Sequence, residues 1–293
     1  MRTAGREVLR HLIDYAGLFP PAGLPMAKAV AAFAAYQRRD DAWALGRFVV
    51  PAARLEEFER AVEELPEREA VGARWPLSVL LGAEPLAEVE RLRIFRERHH
   101  QAGPAVQAVE ARAGDAASIE SLRGAVPAAL ELYIELAPGP GLRRLLTAVE
   151  RAGARAKVRA GGVRPEEIPA PETVFAFLRA VAEARVPFKA TAGLHHPVRG
   201  LAPLTYEAGS LCATMFGYLN VVVAATLLWE GRPAEAERVI CLEDQSVLSL
   251  RDDGIRWDGI TVELGAIARA RREFVLAIGS CSFTEPIEEI EGL

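Results

Sequence analysis

Apolar and alternating runs recur along the chain, with amphipathic stretches between them. The first run, residues 11–18, ends in the turn-rich Phe19-Pro20-Pro21-Ala22-Gly23, and a helix is expected over 25–39 with Val30, Phe33 and Ala34 on one face. Further strands are expected at 47–51, 77–82, 106–112, 130–136, 156–160, 188–193 and 274–282. Between them Leu55, Phe58, Val62 and Leu65 recur at helical spacing, as do Leu142, Leu145, Leu146 and Val149. Strand and helix alternate through short links, the pattern of a parallel sheet with helical crossovers. Eight strands predict an α/β fold, a (β/α)8 TIM-like barrel, with a doubly wound open sheet as the alternative.

Two stretches strain that pattern. About seventy residues separate the last two strands, far more than a crossover needs. Residues 1–293 are therefore expected to form one barrel-like domain, with 203–272 as an inserted cap or interface subregion apolar enough to make a homodimer plausible. Little chain follows the last strand for a full eighth helix. Within the insertion, residues 210–229 carry no charge over about the length of a membrane span. Thr214, Gly217, Tyr218, Asn220 and Thr226 make that stretch less greasy than a span, so a buried helix is expected and no membrane partner.

Composition narrows the class. The chain is 51% apolar and 26% charged, as in ordinary soluble proteins. A formal charge of −5 and an acidic end (Glu285, Glu288, Glu289, Glu291) exclude nucleic acid as a main partner. Cys212, Cys241 and Cys281 form no CxxC pair, and residues 1–10 hold no apolar run, so a reducing, cytoplasmic setting without a signal peptide is expected. Lysine is scarce: only Lys28, Lys157 and Lys189 occur, the last two in consecutive expected strands. Arginine cannot act as a neutral amine near neutrality, whereas a desolvated lysine can.

Barrel enzymes carry their chemistry at the C-terminal ends of the strands. There the chain offers Asp14 and Tyr15, then Glu110 and Arg112. In Glu131-Leu-Tyr-Ile-Glu135 the alternation turns Glu131, Tyr133 and Glu135 inward; in the next strand it turns Lys157 and Arg159 inward. Lys189 and Thr191 follow, then Ser280, Cys281 and Ser282. These charges either neutralise one another as a polar layer or hold an anionic or carbonyl substrate. On the second alternative, two close lysines depress each other's pKa, leaving Lys189 as nucleophile, Lys157 as second cation and Glu135 as proton shuttle. His195 is a candidate general acid/base, with His196 beside it in the substrate loop. With Glu110 or Glu135 the two histidines would instead bind a divalent metal for a hydrolase or lyase. No cofactor or metal is assigned, and a non-catalytic binder of an acidic metabolite is the third possibility. Cys281 lacks a visible base or helix N-terminus to activate it.

Lys189-Ala190-Thr191-Ala192-Gly193 resembles the Lys-x-(Ser/Thr)-x-Gly strand of deoxyribose-phosphate aldolase. Lys157-Val158-Arg159-Ala160-Gly161-Gly162-Val163-Arg164 is similar to that family's second lysine strand, roughly Lys-x-x-Gly-Gly-x-Arg. The two strands occur here in reverse order, and the likeness covers about a dozen residues of 293. It implies a class I aldolase-like lyase in which Lys189 forms a Schiff base and Lys157 tunes it.

Overall fold

A computed structural model describes residues 1–66, 74–100 and 103–293. Seven strands come first: β1 (Ile13–Tyr15), β2 (Leu45–Pro51), β3 (Pro76–Leu80), β4 (Ala105–Arg112), β5 (Glu131–Glu135), β6 (Arg155–Arg159) and β7 (Phe188–Thr191). The helices preceding or joining them are α1 (Thr3–Leu9), α2 (Met26–Tyr36), α3 (Leu55–Glu63), α4 (Pro85–Arg98), α5 (Ala116–Ala125), α6 (Leu142–Arg151) and α7 (Pro171–Glu183). The long connection then supplies a hairpin, β8 (Gly200–Pro203) and β9 (Cys212–Met215), and helices α8 (Tyr218–Trp229) and α9 (Pro233–Cys241). It ends in an antiparallel sheet, β10 (Leu248–Leu250), β11 (Gly254–Trp257) and β12 (Ile260–Glu263), followed by α10 (Leu264–Glu273). The last strand, β13 (Val275–Ser280), slots between β7 and β1 and closes an eight-stranded parallel barrel. The chain is a (β/α)8 barrel. The open-sheet alternative is excluded because both ends of the sheet find a partner.

Period-two alternation sets the two faces of the barrel wall. Phe48 and Val50, Leu77 and Val79, Leu132 and Ile134, Phe188 and Ala190 all face the helices and join one continuous apolar core. The helices meet them with stripes of matching spacing; α6 buries Leu142, Leu146 and Val149. Asp115 caps α5 by accepting a hydrogen bond from the Ser118 N–H at 2.8 Å. On the N-terminal side of the core, Phe33, Phe48, Phe58 and Trp75 pack ring against ring.

Uncharged α8 is the buried helix expected: it packs against α7, α9, α10 and β13, and is buried on nearly every side, which is why it carries no charge. No helix among the described residues is long and apolar enough to cross a membrane. Asn220 is the polar residue at the centre of the contacts of α8. Its oxygen accepts from the Arg199 N–H, and its amide donates to the Val239 and Leu242 carbonyls, pinning the hairpin base to α9. A short eighth helix does follow the barrel, α11 (Thr284–Glu291). The first strand is also shorter than expected, three residues in place of eight, because residues 11–12 still belong to the turn after α1 and the chain turns out of the sheet again after Tyr15.

Phe188 is wholly buried, with the Phe177 and Phe274 rings 6.1 and 5.0 Å away. Phe188→Ala removes the shared partner of both rings and is expected to cost about 3–5 kcal/mol, read from the urea midpoint. A change below about 1 kcal/mol would show that this part of the wall collapses freely around the loss.

Candidate active site

The inner face of the barrel carries a ladder of alternating charges. Lys157 and Lys189 are register partners on adjacent strands. Lys189 Nζ donates to Asp14 Oδ2 at 2.6 Å and to Glu110 Oε1 at 2.7 Å. Lys157 Nζ lies 2.8 Å from the other oxygen of Glu110 and 3.0 Å from Glu135 Oε2. Arg112 Nε closes the row on Glu135 Oε1 at 2.8 Å. Around this row, Ser78 Oγ donates to Glu110 Oε1, the Arg47 N–H donates to Asp14 Oδ1, and the Tyr133 ring lies 5.4 Å from the Lys189 ammonium. Glycine makes part of this possible: a Cβ on Gly46 would sit 2.5 Å from Asp14 Oδ1.

Lys189 is 0% exposed and Lys157 4%, so their charges are held by partners and not by water. This overturns the expectation that the lysines depress each other. Burial alone would lower the Lys189 ammonium, but Asp14 and Glu110 outweigh it and raise its pKa above the ordinary lysine value. Burial would likewise raise the Glu110 carboxyl, yet Lys157 and Lys189 hold it far below the usual carboxylate range. Glu135 is lowered against its burial by Lys157 and Arg112. At rest Lys189 is an ammonium, and Glu110 and Glu135 are ionised.

Above the ladder, at the C-terminal mouth, lies a cavity of about 280 Å³. Its floor is Glu110, Lys157 and Lys189; its walls include Phe19, Pro20, Pro21, Val49, Leu80 and Val163; Thr191, His195 and Cys281 lie on its inner side. Exposed Arg159 stands at the rim with no ion-pair partner among the described residues. Neighbouring Arg164 is tied to Glu167 at 2.7 Å. The loops after β6 and β7 touch through glycine: a Cβ on Gly161 would come within 3.2 Å of Gly193 Cα, and Gly193 has φ +73°.

Several expected site residues lie elsewhere. Tyr15 turns outward and packs among Phe33, Tyr36 and Phe48, since period two puts it opposite Asp14. Asp14 is spent on the ladder and faces the opposite end of the barrel. Ser280 points away from the cavity, 3.1 Å from His195 Nδ1, and Ser282 Oγ accepts from the Glu285 N–H at the start of α11. Glu131 sits two inward positions below Glu135 on the same strand, with Arg47, Arg155 and Tyr133.

His195 and His196 diverge. His195 lines the cavity, and burial lowers its imidazole below the ordinary value. His196 turns to Glu289 on α11, 2.8 Å away. They share no glutamate at a strand end, so the expected metal set is dispersed. Among the described residues only His196, Glu285 and Glu289 approach metal-ligand geometry, outside the cavity, with potential ligand atoms within 4.8 Å of one another. Cys281, set aside in the sequence, lies on the cavity wall, its Sγ 3.7 and 3.8 Å from the two His195 nitrogens. Tyr206, in the turn of the hairpin, reaches over to 3.5 Å from that sulfur and donates to Glu285.

No protein-family model matches the chain, and no curated protein matches it. Among solved structures it is similar to the tryptophan synthase A-subunit from the hyperthermophile Pyrococcus furiosus. The identity is 14%, over 83% of this chain and 100% of that one, with a TM-score of 0.39, a likeness too distant to bear on function. The aldolase resemblance has no counterpart in these comparisons.

The ladder makes stability depend on Glu110. Glu110→Gln leaves two buried ammoniums one carboxylate short and is expected to cost about 3–5 kcal/mol. Folding lowers Glu110, Glu131 and Glu135, so their contribution is present above the ordinary glutamate value of about 4.3 and drains away as pH falls through their lowered values. Lys189 contributes fully below about 10.4 and loses that contribution only as pH climbs past its raised value. Urea midpoints should therefore drop between about pH 5 and about pH 3, less steeply in Glu110→Gln. A wild-type midpoint unchanged over that interval would contradict the ladder.

Proposed function

We propose that the protein is an enzyme acting on a small carbonyl-containing anion, of lyase type, with aldolase-like chemistry at Lys189. What supports this is the convergence of Lys157 and Lys189, with Glu110 between them, on the floor of an apolar-walled cavity whose rim holds unpaired Arg159. The volume, about 280 Å³, lies at the low end of the ~300–1,000 Å³ typical of ligand sites and suits a small metabolite. Arg159 takes the anionic end through its guanidinium fork. The carbonyl end lies toward the lysines, beside Thr191. Lys189 first passes a proton to Asp14 or Glu110, both already hydrogen-bonded to it. Its amine then adds to the carbonyl carbon, and loss of water, with Glu135 and Lys157 moving the proton, leaves the imine. From the protonated imine, cleavage of the bond between the α and β carbons sends its electron pair toward the imine nitrogen as an enamine, while neutral His195 accepts the proton of the β-hydroxyl and the other fragment leaves as an aldehyde. The lysine-strand resemblance to deoxyribose-phosphate aldolase points the same way.

A role for Lys157 and Lys189 as charges alone, stabilising a developing oxyanion or simply binding an acidic metabolite, is favoured by one observation: the doubly paired Lys189 ammonium. Borohydride reduction with small 2-oxo acids and hydroxyaldehydes, read by intact mass, separates the two. Imine chemistry predicts one adduct at Lys189, lost in Lys189→Met, with a yield that rises from neutrality to beyond about pH 9 because the resting amine is protonated. Arg159→Ala should raise the concentration needed for half-maximal adduct by about tenfold. Turnover without any adduct would assign the lysines to electrostatics, and neither adduct nor turnover across the panel would sink the proposal.

A further inference from the structure

The other end of the barrel holds a second recess, about 670 Å³, more than twice the volume of the first. Arg47, Arg74, Arg155 and Arg272 line it, against Asp14 and Glu131. Asp14 is already spent on Lys189. Among the described residues lining the recess, four guanidiniums thus meet two carboxylates, in a chain whose formal charge is −5.

Much of the donor capacity here is unspent. Arg47 and Arg155 both reach the same oxygen of Glu131, Oε2, which also accepts from the Tyr133 hydroxyl. Arg47 gives its Nε to Gln107 at 3.1 Å. Arg155 uses only Nη1, on Glu131 and Tyr133, and its remaining nitrogens have no acceptor among the described residues. The side chains of Arg74 and Arg272 are exposed at the rim and likewise have none. Arginines that merely braced the barrel floor would spend all three nitrogens on it, as Arg271 does. Arg271 is buried beside this face and bonds the Val8, Arg10 and Val275 carbonyls. A concave site with surplus guanidiniums focuses positive potential and matches the geometry of paired oxygens.

We infer that the N-terminal mouth of the barrel binds a small, multiply charged oxyanion, a phosphate ester or a polycarboxylate, between Arg47, Arg155, Arg74 and Arg272. Glu131 holds the two inner guanidiniums in place, and the two rim arginines close on the ligand.

Titration calorimetry of the full chain at low salt, with pyrophosphate and separately with citrate, tests this. One saturable site is expected for at least one probe, weakening as salt rises. The pair Arg74→Glu and Arg272→Glu, both on exposed side chains and checked by circular dichroism, should weaken it by about tenfold or more, since each reversal turns attraction into repulsion. Arg159→Ala, at the opposite mouth, should leave it unchanged. Binding of pyrophosphate alone assigns a phosphate ester, and of citrate alone a polycarboxylate. No saturable binding of either, indifference to the charge reversals, or loss on Arg159→Ala would overturn the assignment. None of these outcomes depends on imine formation at Lys189.

Discussion

One carboxylate shared between two ammoniums governs the interior of this barrel. Glu110 gives one oxygen to Lys189 and the other to Lys157, and neither lysine has enough water around it to be stable alone. Barrel interiors are usually filled with layers of branched apolar side chains. Here the middle layer is a row of alternating charges from Arg112 through Glu135, Lys157, Glu110 and Lys189 to Asp14. Three cations meet three anions in that row, so it is neutral as a whole, with exposed Arg112 completing the balance at one end while the two lysines are desolvated. The apolar packing that holds the fold together is displaced to the outer face of the wall, where Phe48, Leu77, Ile134 and Phe188 meet the helices.

The same row divides the axis into two mouths of different character. Toward the C-terminal end the walls are apolar, and Arg159 is the cation left over at the rim. Toward the N-terminal end arginines outnumber carboxylates around Glu131. Asp14 and Lys189 form the partition, one lining each recess and bonded across it. A group that drew on Asp14 from below would alter the hold on Lys189 above. The two ends are thus joined by a hydrogen bond, not only by the wall.

Much of this was legible wherever alternation was clean. Leu132 and Ile134 phase β5, and Val158 and Ala160 phase the end of β6, which turns Glu135, Lys157 and Arg159 inward as expected. Gly279-Ser280-Cys281-Ser282 offers no such contrast, since every residue is small. Only by counting on from Ile278 does Cys281 fall inside and Ser280 outside. The same count would have separated Tyr15 from Asp14, and it would have found Ser78 between Leu77 and Val79. What no local pattern carried was the protonation of Lys189. Its two carboxylates lie 175 and 79 residues away in the chain, and only closure of the barrel brings them within 2.7 Å. The neighbours of the Cys281 thiol escaped notice for a related reason: His195 and Tyr206 lie 86 and 75 residues away in the chain.

A firmly paired ammonium does not by itself argue against a nucleophilic amine. Moving a proton from Lys189 to Asp14 along their 2.6 Å hydrogen bond turns an ion pair into a neutral amine and a neutral acid, without changing the charge of the row. In water that exchange is steeply uphill, because each ion is separately solvated. In a desolvated row part of the penalty is refunded, since two buried charges vanish together. Their neighbours then decide how far: Glu110, freed of half its pairing on one oxygen, still has Ser78 there and Lys157 on the other. In the proposed reaction an incoming anion meets Arg159 first and so need not compete for the ammoniums below. On the proposed chemistry, the ladder is both the reason the lysine rests protonated and the route by which it loses the proton.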